Sequence, residues 1–304
     1  MSIIKKFKKS NFGQYLISKY HCLASFFYPR LVSDKKAVIK YYKKKSKGKI
    51  VDLNNPKTFS EKLQWYKLNA RNPLMQICAD KVAVRDYLKE QGFGYLLNDI
   101  HGVYTKVKDI DWNSLPERFV IKAAHGSGQN IIVKDKAKLN IKHAKRMLNS
   151  WLHQDISWSG REWVYRNMPR RIIAEKFLQD ETGELRDYKF FCFNGKPTFM
   201  QLEVGRFTKE NTRNFYDMDW NLMPFGKELP YNPNVIVEKP AMFEEMKSIA
   251  TKLCQPFQFV RVDLYQVNGK IYFGELTFFP AGGAPDFVPS NYDEIVGQYW
   301  EIKE

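Results

Sequence analysis

The chain has 304 residues and a formal net charge of +16; 44% of its residues are hydrophobic and 15% are aromatic. A chain of this length and composition can bury a large core, which excludes an intrinsically disordered protein and allows one large domain or two to three small ones. Its four cysteines include no Cys-x-x-Cys pair and its five histidines no His-Glu-x-x-His motif, so neither a zinc site nor a disulfide framework is predicted.

The sequence also indicates where the protein resides. It has no apolar run of about 18 residues and no cleavable signal sequence, so we expect a chain that neither spans a membrane nor is exported. Widely spaced cysteines agree with a reducing compartment. The predicted location is therefore the cytoplasm.

The positive charge is concentrated in residues 1–50. This segment has 14 Lys and Arg residues against one acidic residue, Asp34, for a charge of +13, and subtracting that from +16 leaves +3 for the rest of the chain. Lysines and large apolar side chains are mixed at loosely helical spacing in residues 1–30, and more lysines follow in residues 43–49. The basicity is thus a property of an N-terminal extension.

A basic amphipathic extension of this kind is typical of a membrane interface. Each Lys or Arg near an anionic leaflet contributes about 1 kcal/mol, so even half of them would hold a protein there. A solvated charged face and a nucleic-acid patch are the alternatives. No helix-turn-helix, zinc finger or RNP-type sequence accompanies the charge, which makes a nucleic acid the least favoured partner.

Two helices are predicted after the extension. Thr58 and Glu61 form a capping box that begins the first. Asp80 is predicted to cap the second, which ends at Gly92. Lys81 lies in its first turn, where a cation opposes the helix dipole unless it meets an anion. Lys81 is therefore either an ordinary surface lysine or a ligand for an anionic group.

Residues 119–133, FVIKAAHGSGQNIIV, predict two strands joined by a Gly-rich loop, with Lys122 at the mouth of the loop. The loop is not a P-loop, because no Gly-Lys-Ser/Thr follows, and it is not a dinucleotide fingerprint, because a strand rather than a helix comes next. A strand, a glycine loop and a strand can fold over nucleotide phosphates, whose oxygens accept hydrogen bonds from backbone N–H groups. The alternative is a flexible β-turn with an incidental lysine.

The middle of the chain mixes helices with hairpins. Residues 139–153 and 241–254 have helical apolar spacing, and residues 171–178 predict a strand. Residues 185–207 contain an Asn-Gly hairpin whose first strand carries Asp187 and Lys189 on one face. Because hairpins place antiparallel strands beside the helices, the predicted fold class is α+β rather than doubly wound α/β.

The stretch RVDLYQVNGKIYFGELTFFPAGG, residues 261–283, predicts a second hairpin joined at Asn268-Gly269, the strongest short-range hairpin signal. Asp263 and Glu275 lie in strands that are otherwise apolar, where an isolated carboxylate needs a partner. Two carboxylates that converge can hold Mg²⁺, whose coordination is often completed by the phosphates of a nucleotide.

The length of the turn decides whether these carboxylates converge. A two-residue turn pairs Val267 with Lys270 and puts Asp263 and Glu275 on opposite faces, whereas a three-residue loop ending at Gly269 puts them on one face. The magnesium site therefore requires the three-residue loop. The alternative is a half-buried hairpin whose acids point to solvent or pair with a neighbouring arginine.

Six stretches, taken in order, resemble the ATP-grasp superfamily and most closely its TupA-like branch, the branch of teichuronopeptide biosynthesis. They are NPKTFSEKLQWYKL, the ADK at 79–81, FVIKAAHGSGQN, AEKFL, LRDYKFFCFNGKP, and RVDLY followed by GELTFFPAGG. The resemblance covers about residues 54–300 and leaves the N-terminal extension outside it.

The resemblance implies an ATP-grasp fold, in which two α+β subdomains hold ATP between them. On this basis we divide the chain into a basic amphipathic extension at 1–50 and an N-terminal helical region at 51–110. A small subdomain with the Gly-rich flap follows at 111–178, and a large subdomain with the metal site at 179–304.

The resemblance also implies which residues bind the nucleotide. Lys81 and Lys122 resemble the two lysines that contact the phosphates, residues 175–178 the hinge whose backbone meets adenine, and Glu184 a ribose contact. The implied cofactor-binding residues are Lys81, Lys122, His125, Gly126, Ser127, Gly128, Glu175, Lys176, Phe177, Leu178 and Glu184.

Asp263 and Glu275 match the metal ligands of the family. The third ligand of many ATP-grasp enzymes is an Asn two residues after the Glu, and here Thr277, a poorer ligand, takes that position and puts a second Mg²⁺ in doubt. The implied catalytic residues are Lys189, Arg206, Arg213 and Arg261. The first three lie where the family places cations near the γ-phosphate and the carboxylate under attack.

The implied chemistry is carboxylate–amine ligation through an acyl-phosphate, in the setting of bacterial surface polysaccharide assembly. We expect a uronic acid carboxylate on a lipid-linked glycan as acceptor and an amino acid or short peptide as donor, with the extension at the inner leaflet of the membrane. Asp217-x-Asp219 supports a metal-dependent glycosyltransferase as the main alternative. A non-enzymatic polyanion-binding protein is the other.

Overall fold

The computed structural model describes residues 10–180, 185–204, 211–229, 231–235 and 237–303. The chain divides into two compact units. The first comprises Met1–Ala37 and Gln76–Phe177, and the second Val38–Met75 and Leu178–Glu304. The division into four sequence segments made above stays a prediction.

Along the described residues, runs of helices are followed by runs of strands, beginning with five helices. In chain order the helices are α1 (Asn11–Leu31), α2 (Asp34–Lys45), α3 (Phe59–Asn69), α4 (Pro73–Ala79), α5 (Ala83–Glu90), α6 (Ile141–Leu152), α7 (Ser157–Gly160), α8 (Phe243–Cys254) and α9 (Tyr292–Gln298). The strands are β1 (Ile100–Tyr104), β2 (Phe119–Ala123), β3 (Asn130–Val133), β4 (Ile172–Lys176), β5 (Asp187–Phe193), β6 (Lys196–Val204), β7 (Thr212–Asp217), β8 (Leu222–Met223), β9 (Gly226–Lys227), β10 (Phe259–Val267), β11 (Lys270–Thr277) and β12 (Phe287–Val288).

Side chains bond to the first backbone N–H groups of α3 and α5, and the capping box predicted for α3 is confirmed. At α3 the Thr58 hydroxyl accepts from the backbone N–H of Glu61, whose carboxylate accepts in return from the Thr58 N–H. The predicted N-cap of α5 is wrong by two residues: the N-cap is Val82, which has no side-chain cap, while the Asp80 carboxylate just before it accepts from the N–H groups of Val82 and Ala83. Both side chains satisfy backbone donors that have no partner inside the helix.

The first unit contains a four-stranded antiparallel sheet in the order β1-β4-β2-β3. Helix α6 packs against it, and its predicted apolar face is confirmed by the burial of Leu148 and Trp151 with Phe119, Ile121 and Ile172. The edge strand β3 is joined to the central strand β2 by the Gly-rich loop, so this loop projects from the end of a buried, rigid strand.

The second unit contains a six-stranded antiparallel sheet in the order β11-β10-β5-β6-β7-β8. Helix α8 covers one face, where the rings of Phe243 and Phe190 stack at 5.9 Å. On the opposite face Phe59 of α3 contacts the rings of Phe191 and Phe259. These aromatic rings cover only part of that face, and its charged part forms the site described below.

The mixture of helices and antiparallel sheets confirms the predicted α+β class. Both Asn-Gly hairpins form, as β5–β6 and β10–β11. Among the described residues, no helix combines the length and the hydropathy that crossing a membrane requires.

Candidate active site

The Gly-rich loop of the first unit is fixed by Lys81. The Lys81 ammonium donates to the carbonyl of Gly126 at 2.6 Å, and its backbone N–H donates to the carbonyl of Ala124 at 3.1 Å. Beyond this anchor Ser127 and Gly128 are exposed, and Gly128 has a φ of +71°, a left-handed conformation that favours glycine. Lys81 and the loop, predicted to act together, are therefore in direct contact, and the tip of the loop faces solvent.

His125 lies inside the first unit rather than at its surface. Its Nε2 is 3.0 Å from the carbonyl oxygen of Trp151, and its Nδ1 is 3.4 Å from the backbone N–H of Arg171. Burial lowers the pKa of His125 below its usual value, which fits a neutral ring that donates from Nε2 and accepts at Nδ1. The ring therefore joins the base of the loop to the unit's interior, and its predicted role in binding the nucleotide stays a prediction.

Lys122 and Glu175 form an ion pair on one face of the first sheet. The distance from Lys122 Nζ to Glu175 Oε2 is 2.7 Å, and both side chains are largely buried. Register places Val120 opposite Glu175 and Lys122 opposite Ile173, so the two charged residues are diagonal neighbours on adjacent strands. This pairing brings the predicted phosphate lysine together with the first residue of the predicted hinge.

The rest of the predicted hinge follows at the end of β4. The backbone N–H of Lys176 donates to Asp99, and its carbonyl accepts from the side chain of Asn98 at 2.9 Å. The ring of Phe177 lies under the guanidinium of Arg118 at 5.5 Å. Leu178, where the second unit begins, is half-buried.

The turn of the β10–β11 hairpin is shorter than the metal site was predicted to require. Val267 pairs with Lys270, so the turn has two residues, Asn268 and Gly269, both with positive φ, and the predicted three-residue loop is wrong. The register instead shifts between Asp263 and Leu264.

The shift is a β-bulge. Leu264 pairs with Phe273 and Asp263 pairs with Glu275, which leaves Gly274 as the extra residue. One extra residue moves every later side chain to the other face, so Asp263 and Glu275 lie opposite each other on the same face. The two carboxylates do converge, and the cause is a bulge instead of a longer turn.

Asp263 is the centre of a buried charge cluster. Its carboxylate accepts from Arg261 Nε and Nη2, both at 2.7 Å, and from Lys189 Nζ at 2.8 Å. Lys189 also donates to Asp187, which lies two residues before it on β5. The Asp263 side chain is 1% exposed, so these cations supply the partners that a buried carboxylate needs.

The cluster also fixes the protonation of its cations. Burial by itself would lower the pKa of Lys189, but the carboxylates of Asp263 and Asp187 outweigh it and raise that pKa. The pKa of Arg261 is raised in the same way, because Asp263 outweighs the effect of burial. Burial raises the pKa of Asp187, against the effect of Lys189. Lys189 and Arg261 are thus held as cations beside one another.

Glu275 and Thr277 complete the predicted metal set. Glu275 Oε1 accepts from the Thr277 hydroxyl at 3.1 Å and lies 3.6 Å from Arg261 Nη2, and the Glu275 side chain is 39% exposed. Asp263 uses three of its roughly four acceptor positions on cations, which leaves one. The set therefore offers oxygen atoms from one exposed and one buried carboxylate and from one hydroxyl.

These oxygen ligands fit a Mg²⁺ ion whose coordination is completed by water and phosphate. In the described parts of the chain, no group of three or more His, Cys, Asp and Glu side chains could hold a metal ion. Magnesium is usually bound through one or two carboxylates, with water and substrate phosphates as its remaining ligands. Asp263 and Glu275 match that requirement. The described residues contain no site in which protein side chains alone would surround the ion.

Arg213 lies on the same sheet face as Lys189. It is opposite Glu203, and its guanidinium contacts the Glu203 carboxylate at 3.4 Å and that of Glu228. It is therefore separated from the Asp263 cluster by strand β6. Arg206 and Glu184, the other predicted cation and the predicted ribose contact, lie outside the described residues.

The sequence analysis missed the residues that hold the segment after β11. Lys67, buried in α3, donates to the carbonyl of Gly282 at 2.7 Å, and Gln64 donates to the carbonyl of Gly283 at 2.9 Å. Lys227, also buried, donates to the carbonyl of Ala284 at 2.6 Å. The sequence signal for this arrangement was the Pro-Ala-Gly-Gly run, which predicts an unusual backbone but does not identify its partners.

Asp217, the first acid of the Asp217-x-Asp219 pattern, serves a turn. Its carboxylate accepts from the backbone N–H groups of Asp219 at 2.9 Å and Asn221 at 2.8 Å, and from the Asn221 side chain. An Asx turn of this kind explains why an Asp follows β7. Nothing in this geometry favours a glycosyltransferase.

Comparison with known proteins gives a match to one family and several solved structures of limited similarity. The TupA-like ATPgrasp family profile matches residues 61–301. The D-alanine–D-alanine ligase of Bacillus anthracis in complex with ATP is 17% identical at a TM-score of 0.41, over 66% of this chain and 55% of that one. The same ligase from Helicobacter pylori is 15% identical at a TM-score of 0.40, over 74% of this chain and 62% of that one.

A third solved structure, phosphoribosylamine–glycine ligase from Thermotoga maritima, is 13% identical at a TM-score of 0.41, over 67% of this chain and 48% of that one. This chain thus spans between 48% and 62% of the length of these three ligases. The comparison with curated proteins gave no match.

Proposed function

Because this chain belongs to the TupA-like ATP-grasp family, we propose that it is an ATP-dependent, ADP-forming carboxylate–amine ligase. The observation that carries the proposal is the pairing of Asp263 with Glu275 on one sheet face, with Lys189 and Arg261 bonded to Asp263. Transfer of a phosphoryl group needs such cations and metal-binding carboxylates and little covalent chemistry from the protein.

ATP is proposed to bind through the predicted cofactor-binding residues, most of which belong to the first unit. The anchored loop offers its exposed tip at Ser127 and Gly128 to the phosphates, with Lys81 and Lys122 as cations. Residues 175–178 supply the adenine contact, and Glu184 the ribose contact. The Lys122–Glu175 ion pair supports this assignment, because it fixes a phosphate-binding cation to the hinge.

Asp263 and Glu275, with Thr277 as a weaker third ligand, would hold Mg²⁺. A magnesium ion bound there would neutralise the phosphate charges of ATP. Arg261 and Lys189 hold the buried carboxylate of Asp263 in place, which preorganises the set.

The reaction itself is proposed to have two steps, phosphoryl transfer and amide formation, both assisted by the cationic side chains. An acceptor carboxylate oxygen attacks the γ-phosphorus, ADP leaves, and an acyl-phosphate forms. The neutral amine nitrogen then attacks the acyl carbon, the C–O bond to phosphate breaks, and the leaving phosphate takes the proton that the amine loses. Lys189 and Arg261, with Arg206 and Arg213, would stabilise the negative charge that develops on the transferred group and on the carboxylate. Lys189 and Arg261 keep their positive charges because the neighbouring carboxylates raise the pKa of each.

For substrates we propose a uronic acid carboxylate on a surface glycan, free or lipid-linked, and an amino acid or short peptide. The support is the branch of the family to which the chain belongs. A cytoplasmic enzyme held at the inner face of the plasma membrane would meet such substrates.

The test measures ADP release by the full chain with Mg²⁺ and ATP, across a panel of amino acids with a uronic-acid acceptor. We expect release above the ATPase background only when both acceptor and amine are present. Thermal-shift assays accompany it: ligand at 100 Kd stabilises the protein by about 2.7 kcal/mol. Stabilisation by a UDP-sugar with Mn²⁺ and none by ATP with Mg²⁺ would overturn the ligase assignment.

A further inference from the structure

Helix α1 presents an exposed apolar stripe. Leu16, Tyr20, Leu23 and Leu31 are between 42% and 79% exposed. At 3.6 residues per turn these four positions fall within an arc of about 80° on the helix surface. Large apolar side chains concentrated on one side of a long helix mark an interaction surface rather than chance exposure.

A cationic groove runs beside this stripe, where α1 packs against α6. It has a volume of about 330 Å³. Its walls include Tyr15, Lys19, Cys22, Arg146, Asn149 and His153. A hydrogen bond from the Cys22 thiol to the carbonyl of His153 at 3.4 Å joins the two helices at the groove. Lys19 and Arg146 place positive charge on opposite walls, one from each helix.

Helix α6 extends this charge over its exposed face. Lys142, Lys145 and Arg146 are all exposed, and neither α1 nor α6 contains an acidic residue. The first acid after each helix in the sequence is itself paired: Asp34 contacts Arg166 at 3.1 Å, and Asp155 contacts Arg170 at 3.5 Å. The positive charge beside the stripe is thus not neutralised by these carboxylates.

We propose that α1 and α6 together form a membrane-interface surface for anionic phospholipid, in which the stripe inserts among acyl chains and the groove receives a headgroup phosphate. The two features have complementary chemistry, because an anionic leaflet offers apolar chains and phosphates at adjacent depths. A second copy of the chain fits less well, since it would bring one cationic surface against another. The proposal deepens the proposed location and does not depend on the ligase chemistry.

The test is co-sedimentation of the full chain, without ATP, with vesicles of phosphatidylcholine alone or phosphatidylcholine mixed with phosphatidylglycerol. We expect strong binding only to the mixed vesicles. Lys19→Gln with Arg146→Gln should weaken that binding roughly thirtyfold, because each cation is worth about a fivefold change. Leu16→Gln with Leu23→Gln should weaken it about tenfold or more.

Two control variants separate this surface from general charge and hydrophobicity. Lys106→Gln with Lys108→Gln removes two exposed cations elsewhere in the first unit, and Ile77→Gln removes an exposed aliphatic side chain from α4. Both should bind as the wild type does. Circular dichroism checks that each variant folds, and if the groove variant does not, Lys142→Gln with Lys145→Gln tests the same charge requirement.

Three results would overturn the proposal. The first is equal binding of the wild type to both kinds of vesicle. The second is a groove or stripe variant that binds no more weakly than its control. The third is a dimer in sedimentation velocity that Leu16→Gln with Leu23→Gln abolishes, since the stripe would then join two copies of the chain. None of these readouts uses ATP, so failure of the ligase assay leaves the result unaffected.

Discussion

Asp263 and Glu275 lie directly opposite each other on β10 and β11, and they do so because Gly274 is inserted as an extra residue beside them. Without that bulge the two-residue turn at Asn268-Gly269 would send the carboxylates to opposite faces. The proposed metal site therefore depends on a glycine that carries no functional group.

Replacing Gly274 should damage the site more than the fold. A Cβ on this residue would lie 2.9 Å from the backbone oxygen of Asp263, so the strand must shift. We expect Gly274→Ala to cost about 1–3 kcal/mol of unfolding free energy and to lose ADP release almost completely. Urea unfolding and the ADP assay measure the two effects.

Gly269→Ala is the matched control in the same hairpin. Its Cβ meets nothing within 4 Å, and its cost arises only from the φ of +71°. It should lose about 1 kcal/mol of stability and keep its activity. Equal activity in the two variants would show that the bulge does not position the carboxylates for the reaction.

Lys122 is expected to bind ATP in addition to its ion pair with Glu175. Lys122→Met removes a cation proposed to bind phosphate and should raise the KM for ATP at least about tenfold, the value of a charge-assisted hydrogen bond. Lys138→Met, which breaks an exposed pair with Asp135, should leave the KM unchanged. Steady-state kinetics over a range of ATP concentrations decides, and an unchanged KM in Lys122→Met contradicts its assignment.

Lys67 is expected to stabilise the segment after β11. It is 1% exposed and donates to Gly282 and to Gln64 Oε1, so Lys67→Met leaves buried acceptors with fewer partners. We expect a loss of about 1–3 kcal/mol of unfolding free energy. Lys239→Met, at an exposed pair with Glu244, should change it by less than about 0.5 kcal/mol. Similar urea midpoints for both variants would argue against the anchoring role.

The lowered pKa of His125 is expected to make the stability of the fold depend on pH. Its pKa is lowered in the folded chain, so below about pH 6.5 the unfolded chain binds a proton that the folded chain does not. Stability should therefore fall as the pH drops from about 6.5 towards the folded pKa. His125→Gln, which can still donate to Trp151, should be less stable at pH 7.5 and should lose this part of the slope. A slope that persists unchanged in the variant rules out His125 as its source.

The sequence predicted local features well where the cause is local. The capping box at Thr58 and Glu61, the strands around the Gly-rich loop and the two Asn-Gly hairpins follow from a few neighbouring residues, and the structure confirms each. The proximity of Lys81 to the Gly-rich loop could also have been expected, because the family resemblance assigns both to the phosphates of ATP.

Other features depend on partners that the sequence does not reveal. The bulge at Gly274 results from packing between strands, so a count of turn residues gave the wrong loop length although the carboxylates do share a face. Likewise, Lys67 and Lys227 look like surface lysines in the sequence, and only tertiary contact shows them buried against carbonyls. The raised pKa of Lys189 also depends on tertiary contacts, because it results from the carboxylates of Asp263 and Asp187 inside a buried cluster.

The central claim, that Asp263 and Glu275 hold the metal of the nucleotide, is tested most directly by Mn²⁺ binding to the full chain. Electron paramagnetic resonance follows the titration with a non-hydrolysable ATP analogue present. We predict that Asp263→Asn and Glu275→Gln each weaken Mn²⁺ binding at least about tenfold, with folding retained, whereas Glu245→Gln on the exposed face of α8 binds like the wild type. Wild-type Mn²⁺ affinity in both site variants would contradict the account.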